Sequence, residues 1–167
     1  MIAASNPMMK KRPVYENAAS LAEEGKFKQA FERRFPQMEM RKMPRHYFLD
    51  FAIFDKRNQS VVCLIEYKQR RYTSDQLHRF GGLSISLNKM KHGLEYFEKF
   101  GVPVSFFFKL NDCAEGEYFR FNVTPENVKK CRISYIDNKT KKPMRDWEDL
   151  EPCIQIPISL MSRKKLS

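Results

Sequence analysis

The chain has 167 residues, with 31 Lys and Arg against 20 Asp and Glu, a formal net charge of +11 and 42% hydrophobic residues. It is of single-domain size and can bury a core, which excludes a disordered polycation, and its cationic excess points to nucleic acid or an anionic surface. No run approaches the roughly 20 apolar residues of a spanning helix, and Met1–Pro13 lacks a signal's apolar stretch. The expectation is a soluble, cytoplasmic protein, in the host cytoplasm if the chain is viral. Cys63, Cys113, Cys131 and Cys153 form no Cys-x-x-Cys pair and read as reduced thiols, Cys63 buried.

Residues 1–13 and 163–167 each carry three cations and no acid, and read as basic tails around a domain spanning 14–162. Leu21, Phe27, Ala30, Phe31 and Phe35 recur at helical spacings before Pro36, predicting an amphipathic helix over Ala18–Arg34. Gln37–Met43 alternates as a strand. Tyr47–Phe54 and Val61–Ile65 are nearly continuous apolar runs, as expected of central strands, joined by a polar hairpin link, Asp55–Ser60. After Gly81-Gly82, the series Leu83, Leu87, Met90, Leu94 and Phe97 predicts a core-facing helix ending at Gly101, with Tyr72, His78 and Arg79 in the loop before it. Strands are expected at Val102–Leu110, Tyr118–Val123, Arg132–Ile136 and Ile154–Ile158. Pro157 marks the last as an edge strand, open to pairing with a second copy as a homodimer. The order gives an α/β fold, a mixed central sheet flanked by helices.

Charged residues interrupt the two apolar strands. Asp50 lies within the first, and Glu66 and Lys68 close the second. Burying a lone carboxylate costs several kcal/mol unless it is paired or binds a metal. Alternation puts Glu66 and Lys68 on one face, and a hairpin closing with Asp55 opposite Val61 sets Asp50 across from Glu66. Two facing carboxylates repel, and a hard divalent cation, Mg²⁺ or Mn²⁺, reverses that sign. Lys68 would stand beside a metal-bound water, an arrangement suited to phosphodiester hydrolysis. The plainer reading makes Asp50 a strand-edge residue and Glu66-Tyr67-Lys68 a strand end reaching solvent.

This pattern, a helix, Asp50 on one strand, Glu66-x-Lys68 on the next, then a helix and a strand, resembles the PD-(D/E)XK nuclease superfamily from about Asn17 to Leu110. Leu49 stands where many members have proline. The resemblance implies a restriction-endonuclease-like core and a metal-dependent nuclease of the kind found among small phage and Holliday-junction-resolving enzymes. Asp50, Glu66 and the Tyr67 carbonyl would then ligate the ion, with Lys68 catalytic. It also implies a further acid on the first helix. On the helical wheel Glu24 lies with Phe27, Phe31 and Phe35, Glu23 at the margin and Glu32 outside. Glu24 is the choice, with Glu23 or Glu16 as substitutes and a solvated acid as the structural alternative.

Gln69, Arg70, Arg71 and Arg79 are candidate DNA contacts beside the acids, as are Ser86 and Lys89, each also readable as an ordinary solvated position. Ser86-Leu87-Asn88-Lys89 further resembles small phage-encoded nucleases of the superfamily. The function expected is a DNA nuclease, an endonuclease or structure-selective enzyme. The rivals are a non-catalytic DNA-binding protein with the nuclease fold, and an RNA-binding module stacking bases on Tyr47, Phe48 and Phe106–Phe108.

Overall fold

Phe27 and Phe31 are the buried residues of the first helix, α1 (Ala18–Arg34), and they dock it on a sheet. Phe27 has no exposed surface, stacks on Tyr67 at 4.8 Å and meets Tyr118 edge-on at 5.1 Å. In the computed structural model the structure describes residues 18–135 and 152–166, and α1 has the predicted bounds. Glu16, the basic cluster at Lys10–Arg12, the basic loop at 138–145 and the acidic stretch at 146–151 lie outside the described residues.

The strands that follow are β1 (Met38–Lys42), β2 (Phe51–Asp55) and β3 (Ser60–Gln69), joined as antiparallel neighbours. β5 (Val104–Lys109) lies parallel to β3, β6 (Glu117–Val123) is antiparallel to β5, and β9 (Ser162–Lys165) closes the edge. The order β1-β2-β3-β5-β6-β9 makes a six-stranded mixed sheet. A second, antiparallel sheet has the order β4-β8-β7, from β4 (Gly82–Ser86), β7 (Arg132–Tyr135) and β8 (Pro152–Pro157). Helices α2 (Ser74–Phe80), α3 (Leu87–Phe100) and α4 (Pro125–Val128) complete the set. One core lies between the large sheet and α1, around Phe27, Ile65 and Phe107; the other lies between that sheet, α3 and the small sheet, around Phe106, Met90 and Ile156. The architecture is the expected α/β fold with a mixed central sheet flanked by helices, a restriction-endonuclease-like core.

Several expectations are corrected. Tyr47–Asp50 is not strand: Arg45–Tyr47 forms a 3₁₀ turn, Phe48 has φ 65°, and β2 begins at Phe51. The helix expected from Leu83 begins at Leu87, because Gly82–Ser86 alternates in burial as a strand, with Leu83 and Ile85 inside. Gly82 has no room for a Cβ, which would collide with the Ile156 carbonyl. Residues 74–80, expected as loop, form α2, capped by a reciprocal Thr73–Gln76 box and ended by Gly81 at φ 74°. β8 is the central strand of its sheet, with Pro157 only at its end, so the edge that suggested a homodimer is absent there. Arg163–Lys165, expected as a tail, lies in β9, and Leu166 beyond it is buried. Cys63 is half-buried, whereas Cys153 is buried.

Candidate active site

The acids gather where β2 begins and β3 ends. Phe51 pairs with Ile65, and one residue further Asp50 comes level with Glu66. The turn itself is tighter than expected, Asp55 facing Ser60, and an irregularity at Ile53/Phe54 restores the register. The Asp50 N–H donates to the Ile65 carbonyl at 3.0 Å, and its Oδ2 accepts from the Tyr67 N–H at 2.8 Å. This fixes the carboxylate across the end of β3. In an extended strand N–H and C=O of one residue point the same way, so the Tyr67 carbonyl also faces Asp50's side.

Along β3, Leu64 packs on the α3 side and Ile65 and Tyr67 on the α1 side, so alternation sends Glu66 and Lys68 toward α3. Glu66 has no exposed surface. Lys68 Nζ lies 2.9 Å from its Oε1 and Lys89 Nζ, from the first turn of α3, 2.9 Å from its Oε2. The Lys89 contact is a hydrogen bond, and Oε1 has the Lys68 ammonium as its ion-pair partner. Burial pushes the Glu66 carboxyl up to about 6, with Asp50 adding to the rise and Lys68 and Lys89 opposing it. Burial pulls Lys68 the other way, but the Glu66 and Asp50 carboxylates outweigh it and leave its ammonium favoured.

Glu24 reaches this end of the sheet from α1 through Lys42, which pairs with its Oε2 and lies 3.9 Å from Asp50 Oδ1. Of its two substitutes, Glu23 is the one described, and it turns to Lys26; Glu32, placed outside on the wheel, accepts the Met40 N–H. Lys42 was not foreseen, although alternation places it on the same face as Met38 and Met40 and so toward α1.

The expected DNA contacts separate. Gln69, Arg71 and Arg79 are exposed around the end of β3 and on α2. Arg70 instead folds inward, its guanidinium donating to the Ser84 carbonyl at 3.1 Å and tying β4 to β3. Ser86 and Lys89 stand at the start of α3, Lys89 committed to Glu66. Phe106, Phe107 and Phe108 are buried, which removes them as stacking platforms.

A cavity of about 430 Å³ lies on the other side, among Phe31, Phe35, Cys63 and Leu166, and none of Asp50, Glu66 or Lys68 lines it. At the other end, Glu66 is fully buried, the Asp50 side chain keeps 13% exposure and the Lys68 side chain 34%. A family model described as phage putative PDDEXK endonuclease matches residues 10–164. The chain belongs to this family. No curated protein and no solved structure matches it. In this PDDEXK-family chain, Asp50 and Glu66-Tyr67-Lys68 lie together where β2 begins and β3 ends. No described helix is long and apolar enough to cross a membrane.

Among the described residues no three His, Cys, Asp or Glu side chains converge on one point. Two carboxylates and the Tyr67 backbone do come together at this end of the sheet, with Lys68 as the ion-pair partner of the buried Glu66 Oε1. That donor set fits a Mg²⁺-like ion, which binds through one or two carboxylates and keeps several waters.

Proposed function

We propose that this PDDEXK-family nuclease is a divalent-metal-dependent DNA endonuclease, selective for DNA structure, whose ion is held by Asp50, Glu66 and the Tyr67 carbonyl. The observation that carries the reading is the fully buried Glu66 with Asp50 beside it, a pair whose burial and repulsion Lys68 and Lys89 offset only in part. Such a carboxylate is expensive to keep unless a positive ligand repays its desolvation. When bound, Mg²⁺ or Mn²⁺ polarises the scissile phosphoryl oxygen and acidifies a water.

The protein's own groups do the rest. Asp50 is locked by the Tyr67 N–H at Oδ2, and its Oδ1, 3.9 Å from Lys42 Nζ, would be the oxygen offered to the ion. Lys68, favoured as an ammonium, donates to the attacking water and supports charge gathering on the phosphate. Lys89, paired with Glu66 Oε2 here, would be free to hold a phosphate oxygen once an ion neutralised that carboxylate. Glu24, paired with Lys42 beside Asp50, would be the additional acid of the site, and Lys42 a cation for the DNA backbone. Gln69, Arg71 and Arg79 hold flanking phosphates, Ser86 contacts the strand at the start of α3, and Arg70 positions β4.

The reading of a DNA-binding protein that does not cleave draws on one observation, the neutralisation of Glu24 and Glu66 by Lys42 and Lys89. Supercoiled, linear, single-stranded and branched DNA incubated with Mg²⁺, Mn²⁺ or EDTA separates the two. Metal-dependent cleavage, lowered at least about a hundredfold by Asp50→Ala or Lys68→Ala, is expected. Binding of DNA without cleavage of any substrate would leave the non-catalytic reading standing.

A further inference from the structure

Two residues before Asp50 an aromatic ring is held outward at a cost. Phe48 has φ 65°, a conformation that bulky residues rarely adopt and that is retained where the surroundings or function require it. The residue is 41% exposed. The backbone is not loose, because Leu49 next to it is 2% exposed in the α3 core and Asp50 is bonded at N–H and carboxylate. One face of the ring stacks on His92 at 3.8 Å with an interplanar angle of 15°, and His92 is braced by Glu95 at 3.1 Å. His92 covers one face of the ring, and the other is the face open to a further flat partner.

The ring is part of a row. Lys89, His92, Tyr96 and Phe100 recur every three or four residues along α3, a stripe about 16 Å long at 1.5 Å per residue. Tyr96 donates to the Tyr47 carbonyl at 3.4 Å and lies 6.1 Å from Phe100, which is 69% exposed. Tyr47, 43% exposed, packs on His46 at 4.3 Å. The row begins at the lysine that touches Glu66 and runs away from the acids.

We infer that Phe48, backed by His92, receives an unpaired base of the DNA strand whose phosphate lies at Asp50 and Glu66, which makes DNA with unpaired bases at the cleavage point the preferred substrate. The inference rests on the proposed nuclease reading only for where the phosphate sits. A paired duplex offers this row phosphates and groove edges, whereas an unpaired base offers the flat π-face that a half-stacked ring accepts. The cationic end of the row, Lys89, suits the backbone next to that base. Glu95 is turned onto His92 and so does not face the strand.

Binding is measured in EDTA, so cleavage plays no part. A forked DNA carries 2-aminopurine at successive unpaired positions next to the branch, and a fully paired duplex of the same length serves as the comparison. The wild-type protein should quench the probe at one or two positions and bind the fork more tightly than the duplex. Phe48→Leu should abolish the quenching and lower fork affinity by about tenfold, with duplex affinity within about twofold. Phe48→Trp should restore both. Absence of quenching at every position in the wild-type protein overturns the inference, independently of any variant. So does a fork-to-duplex ratio unchanged in Phe48→Leu. Quenching in a protein that never cleaves would overturn the nuclease proposal and leave Phe48's role intact, while cleavage without quenching would do the reverse.

Discussion

Glu66 shows what the site requires of a single residue. A carboxylate with no exposed surface is disfavoured in its ionised form even with two ammonium groups at 2.9 Å, because desolvation and the Asp50 charge together outweigh their attraction. The folded protein without divalent ion therefore bears a cost at neutral pH that a neutral isostere would remove. Glu66→Gln should leave thermal stability in EDTA unchanged or raise it by about 1 kcal/mol while cleavage is lost. Calorimetric unfolding checks this, and destabilisation by several kcal/mol would make Glu66 a structural residue. The Asp50, Glu66 and Lys68 positions were legible in the sequence because charges inside apolar runs stand out. Lys42 was not, since its significance depends on α1 and β1 folding together to bring Glu24 and Asp50 to either side of it.

At the level of elements, the hairpin register was anticipated through a mistaken turn. Asp55 caps its own turn, accepting from the Arg57 N–H at 2.9 Å and from its guanidinium at 2.6 Å, and closes the link one residue earlier than expected; the irregularity downstream compensates. The hydrogen bonds from the Arg57 side chain, and then from its N–H, lower the Asp55 carboxyl from 3.8 to about 2. A lowered folded value means that its contribution to stability is present above 3.8 and lost as pH falls toward about 2. Asp55→Asn should thus lower stability at neutral pH and flatten the acid limb of the unfolding profile in that window, read by circular dichroism against pH.

β4 was misread because Leu83 and Leu87 share a helical spacing by coincidence, while the alternation in Gly82–Ser86 is the pattern that the fold uses. Gly82→Ala should destabilise by about 3 kcal/mol, because its Cβ would enter the Ile156 backbone and its φ is 152°. Wild-type melting of that variant would mean that β4 can separate from β8. α1, by contrast, was legible to its ends, since Phe27 and Phe31 at helical spacing serve one buried face and Pro36 follows.

Across the whole molecule, the large sheet separates two cores and carries its chemistry at one margin, where the start of β2, the end of β3 and the first turn of α3 meet. The mixed sheet with flanking helices was foreseen, whereas the second sheet was not, because β4, β7 and β8 pair only across long sequence separations. The charge that marks the sequence is also distributed differently from expectation. Arg163–Lys165 is strand, with Arg163 bonded to Ser74 and near Glu117, so part of the cationic excess is fixed in the fold.

The central claim is that Asp50 and Glu66 hold the divalent ion and Lys68 acts on the water. Single-turnover DNA cleavage, titrated with Mn²⁺ for the wild-type protein, Asp50→Asn and Lys68→Met, tests it most directly. The account predicts a saturable rate in the wild type. It predicts a midpoint moved to much higher Mn²⁺ in Asp50→Asn, and an unmoved midpoint with a plateau lowered about a hundredfold or more in Lys68→Met. Wild-type rates and midpoints in both variants would contradict it.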